Sequence, residues 1–101
     1  MTRIEWSTPA LADLDHLLMQ AAGEGRSRVS ALEARVKRSC THISSFPMAA
    51  RYIRETDVYE KVVVGEPMLL IYRLAPNADG EATATIVAAF HTSQDPTKKR
   101  R

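Results

Sequence analysis

A chain of 101 residues, 45% hydrophobic and 26% charged, has the size and composition of one folded domain, which argues against a disordered chain or a second core. No apolar run approaches the roughly 18 to 20 residues of a membrane span, Met1 to Trp6 carries no apolar leader stretch, and the single cysteine, Cys40, rules out an internal disulfide, so a cytoplasmic protein is expected. The net charge of +2 is uneven: Lys98, Lys99, Arg100 and Arg101 supply four positive charges, and without them the chain stands at 2 − 4 = −2.

Arg3 to Trp6 reads as a short strand. Ser7-Thr8-Pro9 then signals a helix start, with Thr8 as N-cap and Pro9 at the first helical position. Leu11, Leu14, Leu17, Leu18, Ala21 and Ala22 recur at three- and four-residue spacing, one apolar stripe about 140° wide. Gly23 and Gly25 end this helix, and Asp13 and Asp15 lie near its positive N-terminal end. Ser27 or Ser30 is the expected cap of a second helix, Ser30 forming a capping box with Glu33. Its stripe is Val29, Leu32, Val36, Cys40, Ile43 and Phe46, and it stops at Pro47 after about 16 to 18 residues.

Two amphipathic helices joined by a short glycine-containing turn make an antiparallel hairpin, and that hairpin needs a sheet to cover. From Tyr52 the period changes to that of strands: Tyr52 to Thr56, Tyr59 to Val64, Met68 to Leu74 and Thr83 to Phe90. Gly65-Glu66-Pro67 and the run Pro76 to Gly80 carry the turn chemistry of an antiparallel meander. The expected class is α+β, a helical hairpin on a twisted antiparallel sheet in the order β-α-α-β-β-β, with three or four strands after the helices. One domain over residues 1–96 and a basic tail without fixed structure over 97–101 complete the expectation. Leu14, Leu17, Val36, Ile43, Phe46 and Ile71 are expected among the best-buried side chains.

Several short motifs occur in a fixed order: Ile4-Glu5-Trp6-Ser7, then Ala10 to Leu14, Phe46-Pro47 before Ala50-Arg51, Leu70-Ile71-Tyr72-Arg73, and Phe90 to Pro96. Their order and spacing resemble the RelE/ParE superfamily of toxins from type II toxin-antitoxin systems, over residues 3–96. The resemblance implies the fold above, a cognate antitoxin (ParD-like or similar) as partner, and no cofactor. Members of the RelE type cut ribosome-bound messenger RNA and usually carry a basic residue three positions before the tyrosine of the third-strand motif, where this chain has Leu69. A second basic residue is usual just after the last strand, where this chain has Thr92, Ser93 and Gln94. Members of the ParE type poison DNA gyrase without catalytic residues of their own, and the resemblance is closer to these.

The candidate target-binding set is Arg51, Arg54, Arg73 and His91; a nuclease alternative would use Arg54, Arg73 and His91 as its catalytic groups. Arg73 has a second reading as a surface arginine paired with a cross-strand acid, and His91 one as a hydrogen-bonding group at a strand end. Residues 26 to 54 hold Arg26, Arg28, Arg35, Lys37, Arg38, Arg51 and Arg54 against Glu33, a local 7 − 1 = +6 that favours acidic partners. Within it Arg28, Arg35, Arg38 and His42 fall on one flank of the second helix, either solvated or a docking surface; with Met19 they form the candidate antitoxin-binding set. His91, Ser93 and Asp95 are too close in sequence to supply a hydrolase triad. His16, His42, His91 and Cys40 lack metal-ligand spacing, and Cys40 is read as a core residue. A non-toxic binding domain that has lost the family's activity is the third alternative.

Overall fold

The computed structural model describes residues 1–93, so Gln94, Asp95, Pro96 and the basic tail lie outside the described residues. The elements in chain order are β1 (Arg3–Trp6), α1 (Thr8–Ala22), α2 (Arg26–Ser45), β2 (Arg51–Ile53), β3 (Val58–Val62), β4 (Met68–Pro76) and β5 (Ala82–His91). Two helices pack on one five-stranded sheet in the spatial order β1-β5-β4-β3-β2. Four strands follow the helices where the expected order has three. The sheet is mixed and not antiparallel throughout: β1 runs parallel to β5, with Arg3 opposite Thr83 and Trp6 opposite Ile86. The helical hairpin between β1 and the meander brings the chain back in the sense that a parallel partner requires.

The cap of α1 is Ser7, one residue earlier than expected, and its hydroxyl accepts the Ala10 N–H at 3.2 Å. Pro9 still falls in the first turn, where its missing N–H costs nothing. Neither Ser27 nor Ser30 caps α2, which starts one turn earlier behind Gly25 at φ 111°, and the helix reaches 20 residues. Asp13 works tertiarily: its Oδ2 accepts the Ala89 N–H at 3.0 Å and ties α1 to β5. Thr2 and Ser44 exchange two hydrogen bonds that clip the start of β1 to the end of α2.

Strand alternation sorts the sheet into two faces. Tyr59, Val63, Met68, Leu70, Tyr72, Ala84, Ile86 and Ala89 lie under the helices and share one core with Leu17, Ala21, Leu32, Val36 and Ile43. A bulge at Val87 puts Tyr72 opposite Ile86 but Ile71 opposite Ala88, so Ile86 and Ala89 both reach that core while Val87 and Ala88 face away. The opposite face carries a smaller cluster of Val58, Ile71 and Phe90 with Ile53, Val87 and Ala88 against it. Of the side chains expected to be best buried, Leu17, Val36, Ile43 and Ile71 are buried, Leu14 is half-buried, and Phe46 is 59% exposed. Phe46 is the C-cap residue of α2, with φ −136° and ψ 66°, so its side chain leaves the helical stripe. Cys40 is likewise only half-buried.

Three tyrosines cross the helix-facing side in a row. Tyr52, Tyr59 and Tyr72 have ring centroids 5.0 and 5.2 Å apart, and the Tyr72 hydroxyl donates to the Pro47 carbonyl at 2.5 Å. Burial, with a smaller contribution from Tyr59, pushes the Tyr72 phenol up to about 12. Among the described residues no helix is long and apolar enough to cross a membrane.

Candidate functional site

Three surfaces carry the sequence-predicted residues, and they are separate. The first is the face of the sheet away from the helices. Because β4 alternates, Arg73 emerges there next to Ile71, exposed, with Thr85 as its partner on β5. It lines a shallow cavity of about 210 Å³ with Thr56, Val58, Ile71, Val87 and Phe90. Its strand neighbours are thus not acids, and the cross-strand ion pair expected of a plain surface arginine is not formed among the described residues. Arg51 shares this face through its pairing with Glu60, itself opposite Ile71, and its Nη1 stands 3.8 Å from Glu60 Oε1. An ion pair that long on a side chain 78% exposed adds little to stability. Arg54 is exposed in the β2–β3 turn.

His91 does not join these arginines. It pairs with Met68, whose side chain is in the helix-covered core, and lines a cavity of about 120 Å³ with Leu17, Arg28, Glu66 and Met68. Its Nδ1 accepts the Ser93 N–H at 3.1 Å and lies 2.6 Å from the Ser93 hydroxyl, a local strand-end arrangement that places the ring proton on Nε2. The set Arg51, Arg54, Arg73 and His91 is therefore divided between the two sides of the sheet, as is the catalytic trio of the nuclease alternative.

The second surface is the flank of α2. Arg28 and Arg35 are not solvated: both clamp the carboxylate of Glu66 in the β3–β4 turn, whose side chain is 2% exposed. Arg28 Nη1 donates to Oε2 at 2.7 Å while its Nη2 donates to Oε1, and Arg35 Nη1 donates to Oε2 at 2.6 Å. The Arg28 hydrogen bonds foremost, with Arg35 adding to them, hold the Glu66 carboxyl below the usual carboxylate range despite its burial. Gly65, at φ 86°, is required here: a Cβ would stand 3.1 Å from Arg35 Nε, and Arg35 also donates to the Gly65 carbonyl. Arg38 and His42 remain exposed further along α2, and Met19 is 75% exposed on α1. Charge counting along the sequence missed Glu66 because the acid that answers α2 lies over thirty residues downstream. The turn motif Gly65-Glu66-Pro67 was its only local sign.

The third surface was not singled out from the sequence. Ile4 and Trp6 of β1, Leu11, Leu14 and Leu18 of α1, and Val36 and Cys40 of α2 line a groove of about 400 Å³, with Glu33 and Lys37 at its rim. The signal was present in the helical stripes, which hold more apolar side chains than the short β1 can cover: Leu11 is 48% exposed. Burial pushes the Cys40 thiol up to about 11, so it is a poor nucleophile. Among the described residues no three His, Cys, Asp or Glu side chains converge as a metal site. No protein-family model matches the chain and no curated protein matches it significantly, which leaves the RelE/ParE resemblance resting on the short motifs alone.

Proposed function

We propose that the chain is a ParE-like toxin of a type II toxin-antitoxin system, which stops growth by binding DNA gyrase and is held inactive by a cognate antitoxin. The observation that carries this reading is the chemistry of the open sheet face. Leu69 stands opposite both Val62 and Phe90, so one row across β3, β4 and β5 is apolar at the position where a nuclease of the RelE type needs a cation. Phosphodiester cleavage requires positive charge where the phosphate becomes more anionic, and general acid–base help within reach of it. Arg73 and Arg51 share the face with an apolar shelf, while His91 is on the far side of the sheet. That combination suits recognition of a protein surface, in which an arginine beside apolar side chains is a favoured anchor.

The antitoxin on this reading seats the apolar face of a helix in the groove between β1, α1 and α2, whose lining spans three elements. Met19, Arg28 and Arg35 do not line that groove, and Arg38 and His42 lie on the other flank of α2. Inducing the chain alone in a bacterial host should block replication and raise DNA-damage signalling while bulk messages stay intact. Leu18→Glu should leave that toxicity in place and abolish rescue by the antitoxin. Codon-linked cleavage of ribosome-bound messages, abolished by Arg73→Ala with an unchanged melting temperature, would favour the RelE-like endonuclease instead. Growth without arrest would favour the non-toxic binding domain.

A further inference from the structure

The flank of α2 turned toward β3 holds a second recessed site. Arg38 and His42 lie one helical turn apart, and Lys61 emerges from β3 on the helix-facing side, in step with Tyr59 and Val63. Together with Arg35, Ser39 and Val64 they line a notch of about 180 Å³ whose wall is more apolar than polar. Arg35 is already engaged by Glu66. Among the described residues neither Arg38 nor Lys61 has a carboxylate within ion-pairing distance. Two cations thus converge across a helix–strand boundary with no anion of this chain between them, an arrangement that costs self-repulsion unless a partner answers it.

Apolar side chains alternate with those cations. Val64, 70% exposed, forms part of the notch itself, and Phe46, 59% exposed, packs against His42 with ring centroids 5.3 Å apart. A nucleic-acid strand is bound by a track of cations that follows successive phosphates, and here the positive charge is confined to one notch with Val64 in its wall. A peptide offering carboxylates and apolar side chains in turn satisfies both parts.

We propose that the α2–β3 notch docks an acidic amphipathic segment of a protein partner, a carboxylate seating between Arg38 and Lys61 and an apolar side chain covering Val64. The site is separate from the groove and from the open sheet face, so it stands or falls independently of the toxin reading. Nitrogen-15-labelled full-length chain is titrated with three probes: a synthetic peptide alternating glutamate and valine, a counterpart with serine for valine, and a single-stranded oligonucleotide of equal charge. The first peptide should shift the amides of Arg38, His42, Lys61 and Val64 and bind more weakly as salt rises. Lys61→Glu combined with Arg38→Glu should weaken it about tenfold or more. Lys61→Gln with Arg38→Gln, which adds no new charge, should give a smaller loss at an unchanged melting temperature. The proposal is overturned by shifts that avoid the notch, by equal binding of the serine counterpart, or by an affinity that the charge reversals leave untouched. Tighter binding of the oligonucleotide at the same amides also overturns it, making nucleic acid the ligand. Growth arrest is scored separately, so its absence would remove the toxin reading and leave the peptide result standing.

Discussion

Strands β4 and β5 present two surfaces built from alternate residues of the same backbone, and the two are organised in opposite ways. On the helix-covered side Leu70, Tyr72, Ala84 and Ile86 are completely shielded. On the other side Ile71 and Phe90 are shielded by a handful of neighbours on the same sheet, and Arg73 and Thr85 border them in the next row. The covered side couples three layers of sequence, the sheet and both helices, so a change there is felt throughout the domain. The uncovered side rests on one layer. Side chains on it are available to an external partner at little cost to the fold, and this is why Arg73 reads as a recognition residue and Tyr72, its neighbour in sequence, as a structural one.

The largest expected effect tests that asymmetry directly. Ile86→Ala, which opens a cavity beneath the helices, should cost about 2 to 5 kcal/mol in denaturant melts. Arg73→Ala should stay within about 0.5 kcal/mol of the parent while altering target binding. Equal losses at the two positions would mean that the uncovered face is part of the stabilising core.

A smaller loss is expected where the covered side is polar. Glu66→Gln removes the shared acceptor of Arg28 and Arg35 and should cost about 2 kcal/mol at neutral pH. Because the folded carboxyl titrates below its unfolded counterpart, this stabilisation is present above about pH 4.3 and is lost as the pH falls through the folded value. The melting temperatures of parent and variant should therefore converge in acid. A constant gap from pH 7 to pH 3 would show that packing, and not charge, accounts for the loss.

The smallest effect sharpens the boundary of the covered side. Cys40 lies at its margin, in the groove, and a thiol raised to about 11 is almost wholly protonated at pH 8. Its alkylation should run many times slower than that of an unhindered cysteine peptide, by roughly the lost thiolate fraction. A ligand in the groove should slow it further, and a rate equal to the peptide's would place the thiol outside the protected margin.

Element types were legible in the sequence because they follow from local chemistry. The change from a three-and-four spacing to strand alternation after Pro47 marks the passage from helices to sheet, and Gly65 and Gly80 stand in the turns between strands at positive φ. The fourth strand and the mixed sheet were harder to read. Which strand β1 accompanies depends on how the hairpin carries the chain back, and no residue of Arg3–Trp6 encodes that. Leu11 and Phe46 show another limit: a stripe gives the direction a side chain faces but not whether anything lies opposite. In the candidate site the arginines were legible as charges and illegible as partners. Arg28 and Arg35 were read beside Arg38 and His42, whereas Glu66 withdraws the first two from the exposed set. The bulge at Val87 reverses the facing of every later residue of β5, which is why His91 parts from Arg73.

The parallel pairing of β1 with β5 has a consequence for synthesis. Arg3 meets Thr83, a separation of 83 − 3 = 80 residues, so the first strand to leave the ribosome is among the last to find its neighbour. Until the final third of the chain has emerged, Ile4 and Trp6 have no sheet to join, and the hairpin of α1 and α2 can cover nothing. A nascent chain stalled before Ala82 would hold both helices and an unpaired, partly apolar first strand, open to proteases and chaperones alike. Acquisition of the fold is thereby tied to completion of the message.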